Sequence, residues 1–115
     1  MTTGYFWEEQ KGGGIEFHAQ FTGHAMAVAD GVDPVCAACS ILPQALMTAL
    51  QGEGYKVEFR ISQEDPSLEI RVKAEDMLEA ERIQCMMATC KAGYELLAEN
   101  YPKNVFVAGE KPKEH

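Results

Sequence analysis

A histidine and a cysteine stand close together in this chain, in Gly23-His24-Ala25 and in Gly31-Val32-Asp33-Pro34-Val35-Cys36-Ala37-Ala38-Cys39-Ser40. Such a pair is the minimum equipment for covalent catalysis, because a thiolate attacks while an imidazole moves the proton. The residues before Cys36 say where it sits. Asp33 is a good N-cap, and Pro34 suits the first helical position, where no N–H is required. Cys36 then falls near the third helical position, facing the positive end of the macrodipole. That placement, with an imidazole nearby, predicts a lowered thiol pKa.

Each neighbour has a part in such a site. Cys36 is the expected nucleophile, and His24 the expected base and later acid. First-turn backbone N–H groups, such as those of Val35 and Cys36, point where an oxyanion would form. Pro34 has none to offer. Asp33 either orients His24 or only caps the helix. Ser40 lies four residues after Cys36 on the same helical face, where its hydroxyl can also bond the Cys36 carbonyl. Gly23 and Gly31 flank a loop, residues 23–32, expected to move and to fold over a substrate. This chemistry requires no metal and no cofactor.

Other readings use the same residues. Cys36 could be a buried, inert thiol and His24 a turn residue. Cys36-Ala37-Ala38-Cys39 is also a Cys-x-x-Cys at a helix start, as in a thiol–disulfide module. Such a module follows a strand in a βαβ setting, whereas this motif follows a Gly-containing loop, and it gives His24 no role. A reversible Cys36–Cys39 disulfide could also brake a protease. A zinc site would need Cys36, Cys39, Cys85 and Cys90, but the Cys85-x4-Cys90 spacing puts two ligands on different helix faces. His18 is expected to be solvated on the polar face of a strand, and Trp7 to be a core or dimer-contact residue.

Elements must position these groups. Thr3 to Trp7 reads as a strand, Lys11-Gly12-Gly13-Gly14 as a turn, and Ile15 to Thr22 as a strand of period two, together a hairpin. A helix is expected from about Pro34 to Gln51, with Val35, Cys39, Leu42, Leu46 and Leu50 as its apolar stripe. Pro43 inside it removes the hydrogen bond to the Cys39 carbonyl and predicts a kink. Gly52 and Gly54 end it. Tyr55 to Ile61 and Leu68 to Lys73 alternate as a second hairpin. Glu75 to Asn100 reads as a long helix with Met86, Met87, Cys90, Tyr94 and Leu97 on its apolar face. Val105 to Val107 closes with a short strand. The order ββαββαβ predicts an α+β two-layer sandwich, two helices on one face of a mostly antiparallel sheet.

The chain has 115 residues, 46% hydrophobic and 24% charged, which fits one domain. Its net charge of −8 argues against direct nucleic-acid binding and favours a basic partner. No stretch is expected to approach a membrane span of about 18 apolar residues. The first ten residues carry Glu8 and Glu9 and no basic-then-apolar pattern of a secretory signal. A cytoplasmic location and four free thiols are therefore expected.

Gly-His-Ala, a short loop, Gly-x-Asp and Val-Cys-Ala-Ala-x-Ser together resemble the signature of the ribosomal-processing cysteine protease (Prp) family. The stretch from Ala92 through Glu95 to Asn100-Tyr101-Pro102-Lys103 is similar to that family's closing helix and its Tyr-Pro-Lys exit. Pro34 and Cys39 depart from the usual pattern, Cys39 replacing an aliphatic residue. The resemblance implies the same α+β architecture and one Prp-like protease domain over residues 1–109; the tail, 110–115, is charged and holds Pro112, so it is expected to be loose. It places Ser40 in the active-site neighbourhood. It also implies a homodimer and limited proteolysis. The implied substrate is the N-terminal extension of a basic large-subunit ribosomal protein, the twenty-seventh in the usual count, cut after an aromatic residue. A non-enzymatic ribosome-associated binding protein is the other reading of this resemblance, and it leaves His24 and Cys36 without purpose.

Overall fold

The computed structural model describes residues 1–23 and 33–113. Strands β1 (Thr2–Lys11) and β2 (Gly14–Thr22) pair antiparallel, with Lys11 opposite Gly14. Only Gly12 and Gly13 remain for the turn, both at positive φ, 51° and 89°. A two-residue turn with that backbone twists with the strands, and glycine adopts it without steric cost. Both strands are longer than the alternation alone suggests.

Helix α1 (Pro34–Gly52) follows the undescribed residues, then β3 (Val57–Ser62), β4 (Ser67–Ala74), α2 (Met77–Asn100) and β5 (Val105–Ala108). The sheet order is β3-β4-β2-β1-β5, antiparallel throughout except that β5 runs parallel to β1. This is the expected ββαββαβ two-layer α+β fold.

Inward residues Phe6, Phe17, Ala19, Phe21, Leu68, Ile70 and Val72 meet Cys39, Leu46 and Leu50 of α1 and Ile83, Met87, Cys90 and Tyr94 of α2. Each large apolar side chain buried this way contributes about 1.5–3 kcal/mol. β3 is the sparse edge: Phe59 and Ile61 share the inward face with Ile70 and Leu68, yet both stay exposed.

Element ends depart from the sequence expectation for local reasons. α2 begins at Met77 because Asp76 Oδ1 accepts from Glu79 N–H at 2.9 Å, while Glu79 Oε1 accepts from Glu75 N–H at 2.9 Å. The first satisfies a donor the helix start leaves unpaired, and the second ties the residue before the cap back to the first turn. Tyr55 is held out of β3 because its N–H donates to Leu50 O at 3.1 Å, closing the end of α1.

α1 also corrects the membrane expectation. It carries no charged residue, and by length and composition alone it is apolar enough to cross a membrane, with a mean hydropathy of 1.3. In the fold it covers the core through Cys39, Pro43, Leu46 and Leu50.

Candidate active site

The start of α1 is built as its sequence dictates. Asp33 has extended backbone, φ −99° and ψ 120°, and its Oδ1 accepts from Val35 N–H at 2.8 Å. Its carbonyl accepts from Ala37 N–H at 2.9 Å, the first bond of the helix. Pro34 is the first helical residue, so Cys36 is the third. The Cys36 N–H therefore has no partner within the helix. Val35 differs from expectation: its N–H is already committed to the Asp33 carboxylate, so it is not a ready oxyanion donor.

Cys36 is half-buried and packs against the core. Among the described residues its thiol is not lowered but raised, first by burial and then by the charge and hydrogen bonding of the Asp33 carboxylate. Burial disfavours the thiolate, and the cap adds to it. The residue that caps the helix is an anion, and it stands beside the thiol whose own anion it opposes.

This gives a test. Asp33→Asn keeps an equivalent cap, so stability should move by less than about 0.5 kcal/mol. It removes the opposing charge, so the pH midpoint of Cys36 alkylation, followed by peptide mass, should fall. The sign follows because the folded chain holds the thiol proton more tightly with Asp33 present. An unmoved midpoint would remove Asp33 from the thiol's electrostatics, and a lower midpoint with lost cleavage would add a role toward His24.

The other expected site residues distribute unevenly. The Ser40 hydroxyl accepts from Gln44 Nε2 at 2.9 Å, one turn along, rather than serving the Cys36 carbonyl. Gly23 has φ 123°, and an added Cβ would stand 2.5 Å from Met1 O and 2.8 Å from Thr2 Cα. Its N–H donates to Pro66 O at 3.0 Å. Only glycine fits that close crossing of two chain segments. His24, Gly31 and the loop expectation for 24–32 lie outside the described residues.

Cys39 is fully buried, and burial pushes its thiol up to about 11. Cys36, the more accessible thiol that would have to attack in a Cys36–Cys39 exchange, is raised as well, which weakens both an exchange module and a disulfide brake. Cys85 is exposed and Cys90 buried, on different faces of α2. Among the described residues the ligand atoms that converge, within 4.8 Å, are instead those of Glu9, Glu16 and His18.

That trio lies on the outer face of the sheet and corrects the expectation of a solvated His18. Its ring stacks on Trp7 with centroids 4.8 Å apart and planes 8° apart. His18 Nε2 stands 2.8 Å from Glu16 Oε1 and 3.7 Å from Glu9 Oε2, while Arg71 Nε is 3.9 Å from Glu16. Arg71 also pairs with Glu58 across β3 and β4, which holds the Glu58 carboxyl below its usual range. A hollow of about 600 Å³ beside it is lined by Trp7, His18, Glu58, Arg60 and Arg71 among others, and Cys36 is not part of it.

Comparison with known proteins agrees with this fold. The essential ribosomal processing protease Prp from S. aureus, in complex with a covalently linked product peptide, superimposes with a TM-score of 0.74 at 20% identity. It covers 96% of this chain and 100% of that one. SMU.848 from Streptococcus mutans gives 0.65 at 25% identity, covering 96% of each chain. The S. aureus protease with a substrate peptide gives 0.72 at 18% identity, covering 96% of this chain and 100% of that one. No curated protein matches. The sequence model described as cysteine protease Prp matches residues 1–106, so this chain belongs to the Prp family and is a cysteine protease.

Proposed function

We propose that this cysteine protease performs limited proteolysis, removing the N-terminal extension of a basic large-subunit ribosomal protein. The observation that carries the reading is Cys36 at the third position of α1, half-buried, with its own N–H unused by the helix. The likeness to a ribosomal processing protease from S. aureus supports the substrate, and the net charge of −8 suits a basic one.

In this mechanism His24 takes the Cys36 thiol proton and Cys36 Sγ attacks the scissile carbonyl carbon. The Cys36 N–H donates to the developing oxyanion, where a fixed donor in a shielded site contributes most. The intermediate collapses, the C–N bond breaks, and His24 returns the proton to the leaving amine. Water, deprotonated by His24, then attacks the thioester, releasing the carboxylic acid and restoring the thiol. The raised thiol seen among the described residues makes His24 more necessary: without a base, little thiolate exists at neutral pH.

The same reading includes a homodimer in the cytoplasm. The uncharged helix α1 leaves Ile41 58% exposed, and Phe59 and Ile61 on β3 are 52% and 54% exposed, apolar surface that a second copy would cover.

Incubation with the extended ribosomal protein, read by intact mass, tests the proposal. One discrete cut near the N-terminus is expected. Many cuts, or none by the reduced and folded enzyme, would sink the limited-proteolysis reading. Sedimentation of the same preparation at the mass of one chain would remove the dimer.

A further inference from the structure

Pro43 sits in the middle of α1 and has no N–H, so it leaves the carbonyl four residues earlier, that of Cys39, without its helical donor. The Cys39 side chain is fully buried, so water does not take the donor's place there. An orphaned carbonyl in such a place is expensive and normally finds a partner. Its partner comes from the other helix. Tyr94 of α2, 55 residues away in sequence, donates its hydroxyl to Cys39 O at 2.6 Å, and that bond is buried.

The tyrosine ring is itself held from several sides. It is fully buried. Phe6 of β1 packs against it edge-on at 6.3 Å, and Phe21 of β2 lies tilted against it at 5.2 Å between centroids. Gly4 of β1 makes room for it, since an added Cβ there would stand 2.8 Å from Tyr94 Cδ2. The hydroxyl is thus aimed by two strands and a helix. What it holds is the turn of α1 that begins at Cys36, on the N-terminal side of the rung that Pro43 leaves open.

We propose that Tyr94 is a positioning residue for the Cys36 thiol, acting through the Cys39 carbonyl that Pro43 leaves free. The proline loosens the first turns of α1 from the rest of the helix, and the tyrosine ties those turns to the sheet and α2 instead. Helix α2 thereby sets where the nucleophile stands. The inference rests on Cys36 being the nucleophile, and its experiment is chosen to separate the two.

Three variants test it: Tyr94→Phe, Pro43→Ala and the double variant. Tyr94→Phe deletes the hydroxyl and keeps the ring. It should lower kcat roughly tenfold with KM little changed, because a small misplacement of a reacting atom acts on the chemical step. The pH midpoint of Cys36 alkylation, read by peptide mass to exclude the exposed Cys85, should move as well. Pro43→Ala gives residue 43 an N–H that can reach the Cys39 carbonyl. It should leave the parent activity in place and, in the double variant, restore kcat and the alkylation midpoint.

A Tyr94→Phe enzyme that unfolds at lower temperature, but keeps its kcat and alkylation profile while folded, would reduce Tyr94 to a core residue and overturn the proposal. Failure of Pro43→Ala to rescue, when that change alone is harmless, would overturn the route through the carbonyl. If Tyr94→Phe does not fold, Pro43→Ala in the same background decides by the same rule, through recovery or its absence. If the parent enzyme cuts no peptide, the protease reading falls by itself, and the alkylation profiles of the variants still decide the tether.

Discussion

Cys36→Ala should lower peptide-bond cleavage by about four orders of magnitude or more, with the fold intact. Losing the nucleophile of a covalent mechanism removes the whole acyl-enzyme route, and nothing else in the site can substitute. The side chain is only half-buried, so removing its sulfur should cost about 1 kcal/mol of stability. His24→Ala should come within an order of magnitude of the same loss. Cys36→Ala/His24→Ala together should be little worse than either alone, because the two residues act as a unit. Steady-state cleavage of one aromatic-containing peptide, with unfolding curves run on the same samples, measures all of this. Appreciable cleavage by Cys36→Ala would end the nucleophile assignment. An additive double variant would mean that His24 works on something other than the thiol.

Phe21→Ala is expected to destabilise the chain by about 3–5 kcal/mol. Phe21 is fully buried on β2, edge-on to Phe6 at 5.5 Å and tilted against Tyr94 at 5.2 Å. Truncating it leaves a cavity walled by the Phe6 ring on β1 and the Tyr94 ring on α2, so the gap cannot close cheaply. A domain of this size holds only about 5–15 kcal/mol in total, so the variant should lie near the edge of folding. Phe106→Ala is the matched control: that ring is 47% exposed and should cost about 1 kcal/mol or less. Urea midpoints measure both. Equal shifts for the two would contradict a core centred on the Phe6–Phe21–Tyr94 cluster.

The sequence by itself determined the parts of this protein that depend on three or four neighbouring residues. Asp33-Pro34 sets the start of α1, and therefore puts Cys36 at its third position, since capping and the missing proline N–H are local matters. Alternation named β2, β3 and β4, and the glycine run marked the hairpin turn, though only the structure narrowed it to Gly12-Gly13 and so set the register. Pro43 announced that the Cys39 carbonyl would lose its donor.

Tertiary structure decided what no local rule reaches. The partner of that carbonyl is Tyr94, from the other helix, which sequence periodicity could rank only as an apolar-face residue. His18 reads as a wet position in a period-two strand, but Trp7 and two carboxylates from neighbouring positions enclose it. Among the described residues the Cys36 thiol is moved upward, first by burial and then by the capping carboxylate, neither of which a reading of the helix start alone weighs. Burial and long-range pairing depend on how the layers close together. A motif can therefore name the thiol and its helix, while only the assembled core sets the field around it and the tether that holds it in place.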